Sequence, residues 1–190
     1  LILRRGLSKE PIAYILNKKE FWSLNFSIGR EVLIPRPETE ILVETIVKYF
    51  KGKNPFVLDV GTGSGCIIIS LFQEFTKSKG IAIDISQKAL KFAKLNAKTS
   101  NTINRIRFIN SSICDFHNSK FDLIVSNPPY ISRPDLNDLD ESIKYFEPKL
   151  ALDGGNDGLD VIRKVIYKSG KILKINGMLA LEIGNGQYKK

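Results

Sequence analysis

Little in this chain supports metal or thiol chemistry. Its 190 residues hold two cysteines, Cys66 and Cys114, and one histidine, His117, and the three fall at no recognised metal-site spacing. A chemistry without metal and a reduced, cytoplasmic setting are the expectation. No apolar run approaches the length of a membrane span, no secretory n-region and h-region are visible at the start, and internal repeats and low-complexity tracts are lacking. With 43% hydrophobic residues the chain is large enough for one α/β core. Acidic residues are the minority, leaving a formal charge of +9. Such a balance can mark a nucleic-acid partner, since lysines neutralise phosphates and release counterions. Here the lysines scatter over several predicted helices and loops, which favours a solvated surface over a dedicated binding stripe.

What is present concentrates in short runs. The apolar segment Phe121–Ser126 ends in Asn127-Pro128-Pro129-Tyr130. An Asn side chain offers both a carbonyl acceptor and an NH2 donor. Pro128 and Pro129 lack an N–H, which restricts the local backbone and leaves the Pro128 carbonyl as a second acceptor. Together the two acceptors can grip one NH2 group, and Tyr130 adds a flat face for a planar group to lie on. A strand ending in a proline turn would carry the same residues, so the deciding signal has to come from elsewhere.

Upstream, Phe56–Val60 reads as a buried parallel strand running into Gly61-Thr62-Gly63-Ser64-Gly65 and then into a helix from Cys66. Alternate glycines permit tight dihedrals and close ligand approach, and the helix N-terminus presents N–H groups to an anion. The spacing is G-x-G-x-G rather than the dinucleotide G-x-G-x-x-G, with Asp59 two residues before the first glycine, so a pyrophosphate cradle is disfavoured. Asp84 ends a second strand and can accept both hydroxyls of a ribose. An alternative for Asp84 is the N-cap of the next helix, although Ser86 fills that position unaided. A carboxylate site, a ribose site and an NH2 pocket in one chain suggest S-adenosylmethionine.

The Asp59–Gly65 run, Asp84 and the N-P-P-Y run resemble class I methyltransferases that act on nitrogen. Further segments narrow this: Pro11–Ile15, Glu20–Leu24, Leu33-Ile34-Pro35-Arg36-Pro37-Glu38-Thr39-Glu40, Glu147-Pro148, Ala151–Gly155, Gly158–Asp160 and Leu181–Gly184. In this order they resemble the release factor glutamine N5-methyltransferases of the HemK type, over nearly the whole chain. The resemblance implies methyl transfer from S-adenosylmethionine to the side-chain amide of the glutamine in the Gly-Gly-Gln motif of class 1 peptide chain release factors. It assigns the donor to Gly61, Thr62, Gly63, Ser64, Gly65, Asp84, Ile113 and Asn127. The glutamine falls to Asn127, Pro128, Pro129 and Tyr130, of which Asn127, Pro128 and Tyr130 are the catalytic set. The family's acid near the adenine falls at Ser112 here; Asp115 comes three residues late and reads as a surface acid. Arg36 and Glu147 are candidates to order the neighbouring loop or to be solvated.

The resemblance and the alternation of apolar segments predict a Rossmann-like α/β sheet with helices on both faces, preceded by a β-hairpin. Residues 1–37 are expected as linker and hairpin, the latter over Glu20–Leu33, and 38–190 as the methyltransferase domain. Strands are predicted near 56–60, 80–84, 105–111, 121–126 and 177–183, with helices near 38–50, 63–76, 86–98 and 158–174. The 131–157 stretch is expected to fold over the pocket with a short helix near 138–145. Family members carry a preceding helical domain and continue past Gln187 with further strands. The chain by itself is therefore expected to be poorly stable or inactive. Two other readings stay open: amino-group methylation of DNA or ribosomal RNA, and a non-catalytic donor-binding protein.

Overall fold

A computed structural model describes residues 2–117 and 120–189. The chain opens with α1 (Ile2–Ser8), α2 (Ile12–Leu16) and a hairpin, β1 (Lys18–Phe21) and β2 (Leu24–Ser27). There follow α3 (Glu38–Tyr49), β3 (Val57–Val60), α4 (Cys66–Glu74), β4 (Gly80–Asp84), α5 (Gln87–Thr99), β5 (Ile106–Asn110), β6 (Phe121–Ser126), α6 (Glu141–Lys144), α7 (Asp160–Ile172) and β7 (Leu173–Leu181). Strands β3 to β7 form one parallel sheet in the order β5-β4-β3-β6-β7.

Alternation along the strands sorts the core. Val57, Ala82, Leu123 and Val125 face a layer made by the hairpin, α3, α4 and α5. Leu58, Val60, Ile81, Ile83 and Ile124 face the opposite layer, where Val165 and Ile172 of α7 and Ile113 cover them. Burial on both sides is why these strands are continuous Val, Leu and Ile runs.

The hairpin is shorter and earlier than expected, because the chain turns at Trp22 and Ser23, both with positive φ (50° and 56°). Such a turn ordinarily calls for Asn-Gly, so nothing in the sequence flagged it. Tertiary hydrogen bonds hold it instead: Glu40 Oε1 accepts from the Trp22 amide at 2.8 Å and Glu74 Oε1 from the Trp22 indole at 2.9 Å. The last strand starts at Leu173, four residues before the predicted 177, directly out of α7. The short helix in the 131–157 stretch narrows to Glu141–Lys144, capped by Asp140, whose side chain accepts from Ser142 N.

Sheet order reverses across β3, with β4 and β5 on one side and β6 and β7 on the other. A crevice opens at the carboxyl ends of strands at such a switch point. Gly61 follows β3 there and Asn127 follows β6.

Candidate active site at the carboxyl ends of the strands

A cavity of about 310 Å³ lies at this crevice, bounded by the glycine loop, Asp84 to Ser86, Ser111 to Ile113, Asn127 and Pro129. Val32 to Arg36, without Ile34, bound one side, and Pro148, Leu150, Ala151 and Asp153 another. The 131–157 segment thus does fold against the pocket. A parallel bridge between Ile131 and Asp153 fastens it, with Ile131 N donating to Leu152 O at 3.1 Å and Gly154 N to Ile131 O at 2.8 Å.

The glycine loop has a reason at each position. Gly61, Gly63 and Gly65 all have positive φ, at 70°, 55° and 81°. A β-carbon on Gly61 would meet nothing within 4 Å, and one on Gly63 only the Gly61 carbonyl at 4.0 Å. These two leave open space on the cavity side. Gly65 differs: its β-carbon would meet Ile69 Cδ1 at 2.9 Å and Ala93 at 3.3 Å, and it does not line the cavity. Its smallness serves the packing of α4 on α5. Asn96 of α5 ties the loop to the hairpin, its Nδ2 donating to Ser64 O at 2.9 Å and to Ser27 O at 3.0 Å while Oδ1 accepts from Ser27 N at 2.7 Å. Sequence reading missed Asn96; a buried Asn on an apolar helix face was its one signal.

Asp59 is fully buried, with Oδ2 accepting from the Thr62 hydroxyl at 2.7 Å and Oδ1 without a hydrogen-bond partner. Burial pushes its pKa up to about 7, against the pull of the Thr62 hydroxyl, and the charge of Asp84 adds to the rise. Asp84 bridges two segments: Oδ2 accepts from Gly63 N at 2.9 Å and Oδ1 from Ser86 N at 2.8 Å. Burial raises its pKa as well, opposed by those two amides. Capping of α5 falls to Ser86, whose side chain accepts from Ala89 N, so Asp84 is not the cap. Ile113 is buried and lines the cavity; Ser112 lines it too, while accepting from Cys114 N at 3.1 Å. Asp115 lies outside the cavity lining.

At the end of β6, Asn127 and Pro129 line the cavity, whereas Pro128 and Tyr130 do not. Asn127 Nδ2 donates to Thr39 Oγ1 at 3.1 Å, and the Thr39 hydroxyl donates to Glu182 Oε2 at 2.6 Å. Tyr130 is half-buried, its hydroxyl donating to Glu182 Oε1 at 3.4 Å; burial and then the Glu182 charge raise its pKa. Glycines crowd its backbone: a β-carbon on Gly154 would meet Tyr130 Cα at 2.8 Å, and one on Gly158 would overlap the Tyr130 carbonyl. Gln187 completes the clamp, Nε2 donating to that carbonyl at 3.0 Å and Oε1 accepting from Gly184 N at 2.8 Å. The Gly-rich segments downstream therefore shape the N-P-P-Y turn by close approach.

Arg36 reaches across to Glu147, whose side chain is 1% exposed. Glu147 Oε2 also accepts from Ile34 N at 3.3 Å. The nearby Tyr14 hydroxyl donates to Val32 O at 2.7 Å, and burial raises its pKa. Among the described residues no cluster of His, Cys, Asp and Glu is suited to a metal ion, and no helix is long and apolar enough to cross a membrane. Cys114 is exposed in the 3-10 turn Ile113–Asp115.

Residues 37–141 match the methyltransferase small domain family. A release factor glutamine methyltransferase of Thermodesulfovibrio yellowstonii is 39% identical over 191 residues, covering 99% of this chain and 68% of the relative. A ribosomal protein uL3 glutamine methyltransferase of Francisella tularensis subsp. tularensis is 39% identical, covering 98% of this chain and 60% of the relative. The chain spans only part of the length of the curated relatives it matches, from 68% of the T. yellowstonii protein to 40% of a bifunctional methyltransferase of Rickettsia typhi. Among solved structures, a methyltransferase from Pyrococcus furiosus superposes with a TM-score of 0.63 at 20% identity, covering 98% of this chain and 80% of that one, which shows the class I methyltransferase fold. On its sequence the chain belongs to the release factor glutamine methyltransferase family.

Proposed function

We propose that the protein methylates the side-chain amide nitrogen of a glutamine, that of the Gly-Gly-Gln motif of class 1 peptide chain release factors, with S-adenosylmethionine as donor. One observation carries the reading: Asn127, a group suited to an NH2 target, lines the same cavity as the Gly61–Ser64 loop. The residues fit the donor. Gly61 and Gly63 leave room for close approach, the orphaned Asp59 Oδ1 is a buried acceptor behind them, and Asp84 offers carboxylate oxygens beside the loop. Bound there, S-adenosylmethionine supplies a methyl group on positively charged sulfur. Ile113 offers an apolar face to its base.

An amide nitrogen is a poor nucleophile because its lone pair is delocalised into the carbonyl, so orientation supplies much of the catalysis. Asn127 Oδ1 in the cavity lining and the adjacent Pro128 carbonyl just outside it are the acceptors for the two N–H bonds, and pinning both bonds sets the direction in which the nitrogen lone pair faces the cavity. The same two oxygens stabilise positive charge as it develops on nitrogen. No residue has to remove a proton before attack, since the N–H becomes acidic only as the new bond forms.

The uL3-directed relative gives a second protein substrate with the same chemistry. Methyl transfer from labelled S-adenosylmethionine is therefore measured on release factor, on release factor with the motif Gln changed to Ala, on uL3 and on nucleic acid. Label in unaltered release factor alone is the expected result. Label in uL3 would move the substrate assignment, and label in nucleic acid would replace the glutamine reading altogether.

A further inference from the structure

Thr39 and Glu182 stand in the sequence within the runs P-E-T-E and L-E-I-G, with no role attached. The fold brings them together beside Asn127. Thr39 is 2% exposed at the start of α3, and Glu182 follows β7, held in register by its own amide donating to Ser126 O at 3.0 Å. Ser126 is the residue directly before Asn127.

The hydrogen-bond directions in this group are forced. An ionised carboxylate only accepts, so Thr39 must donate its single hydroxyl proton to Glu182, at 2.6 Å. That leaves Thr39 Oγ1 with acceptor capacity alone toward Asn127, and the group of Asn127 that faces it at 3.1 Å must be the NH2. The carbonyl oxygen of Asn127 is then the end turned away from Thr39. Which way an Asn amide points is ordinarily an assignment rather than an observation; here the chain of donors decides it.

We propose that Glu182 and Thr39 are positioning residues that lock the Asn127 amide with its carbonyl oxygen presented for catalysis. The inference rests on the glutamine-methylation reading, because only an NH2 target needs an acceptor at that spot. With the relay intact, Asn127 accepts from the target amide. With it broken, the amide can turn and offer NH2 to NH2, which repels the substrate group and points its lone pair elsewhere. Tyr130 shares the carboxylate through Oε1 at 3.4 Å, so one side chain ties both ends of the N-P-P-Y turn, directly at Tyr130 and through Thr39 at Asn127.

The test uses the intact protein in two measurements. In the first, the Asn127 side-chain NH2 resonances, identified by their loss in Asn127→Ala, are followed by NMR with donor bound. Two resolved, slowly exchanging protons are expected for the unaltered protein and for Thr39→Ser, and collapse to free-amide positions for Thr39→Val. In the second, kcat on release factor is expected to fall at least tenfold in Thr39→Val and in Glu182→Ala, with donor affinity held within about threefold. Thr39→Ser restores kcat, and the double variant is no slower than Thr39→Val. Glu182→Ala serves as the second handle should the buried Thr39→Val fail to fold. Full kcat in a folded Thr39→Val, unshifted resonances, or additive losses in the double variant would overturn the relay while leaving the glutamine reading standing. Absence of transfer by the unaltered protein, with the resonances protected, would refute that reading and the positioning role with it.

Discussion

Two side chains carry predictions of their own, Asn127 in the cavity lining and Asp59 buried in β3. Asn127→Ala removes one of the two acceptors proposed for the target N–H bonds, leaving the glycine loop untouched. Methyl transfer should fall by about 10²–10³-fold, on the order of the loss of one preorganised transition-state contact, while donor binding measured by calorimetry changes by less than about threefold. Near-normal turnover in this variant would sink the mechanism. Asp59 predicts a pH effect. Its folded pKa of about 7 stands well above the ordinary carboxylate value of 3.8, so the native state binds the proton more tightly than the unfolded chain. Stability from this group is undiminished below about pH 4, declines as pH rises, and reaches its full penalty above about pH 7. Asp59→Asn should flatten that slope, recovering on the order of 2–4 kcal/mol at pH 8 relative to pH 4 in urea titrations. An unchanged slope would assign the effect to other groups.

Among the elements, the glycine loop separates ligand contact from packing. Gly65→Ala combines a φ of 81° with a clash against Ile69 and Ala93, and should cost about 2–4 kcal/mol of stability with little change in donor affinity of the folded protein. Gly61→Ala puts its β-carbon in open space at φ 70°. It should cost only about 1 kcal/mol of stability yet weaken donor binding at least tenfold. The opposite pattern in denaturation and calorimetry would exchange the two roles. The sequence announced this loop because glycine spacing is local chemistry, and it announced β3, β4 and β6 because doubly buried strands are unbroken apolar runs. It was silent where tertiary contacts decide. The Trp22-Ser23 turn has no glycine and is held by Glu40 and Glu74 from two helices. The start of β7 at Leu173 lies in a half-exposed stretch containing Lys174 and Asn176, whose pattern gives no strand signal. Within the site, Asn127 and the loop were legible, whereas Asn96 and the Thr39–Glu182 relay act through contacts that join residues 32 to 143 positions apart.

At the scale of the molecule, the cavity is closed by two segments far apart in the chain, Pro35-Arg36 on one side and Pro148 to Ala151 on the other. The Arg36–Glu147 ion pair joins them. Glu147 is almost wholly buried, and its carboxylate also accepts from the Ile34 amide at 3.3 Å. Removing Arg36 would strand a carboxylate in the interior, whereas removing both charges would not, since a buried pair broken on one side costs far more than its replacement by apolar groups. Arg36→Ala should therefore lower stability by about 3–5 kcal/mol, and Arg36→Leu/Glu147→Leu should recover most of it in the same denaturation experiment. Donor affinity should not recover in the double variant, because the loop loses its directional tie to the pocket wall even when the fold is secure. Recovery of both would make the pair a matter of stability alone; recovery of neither would mean that packing, not charge, joins the two segments.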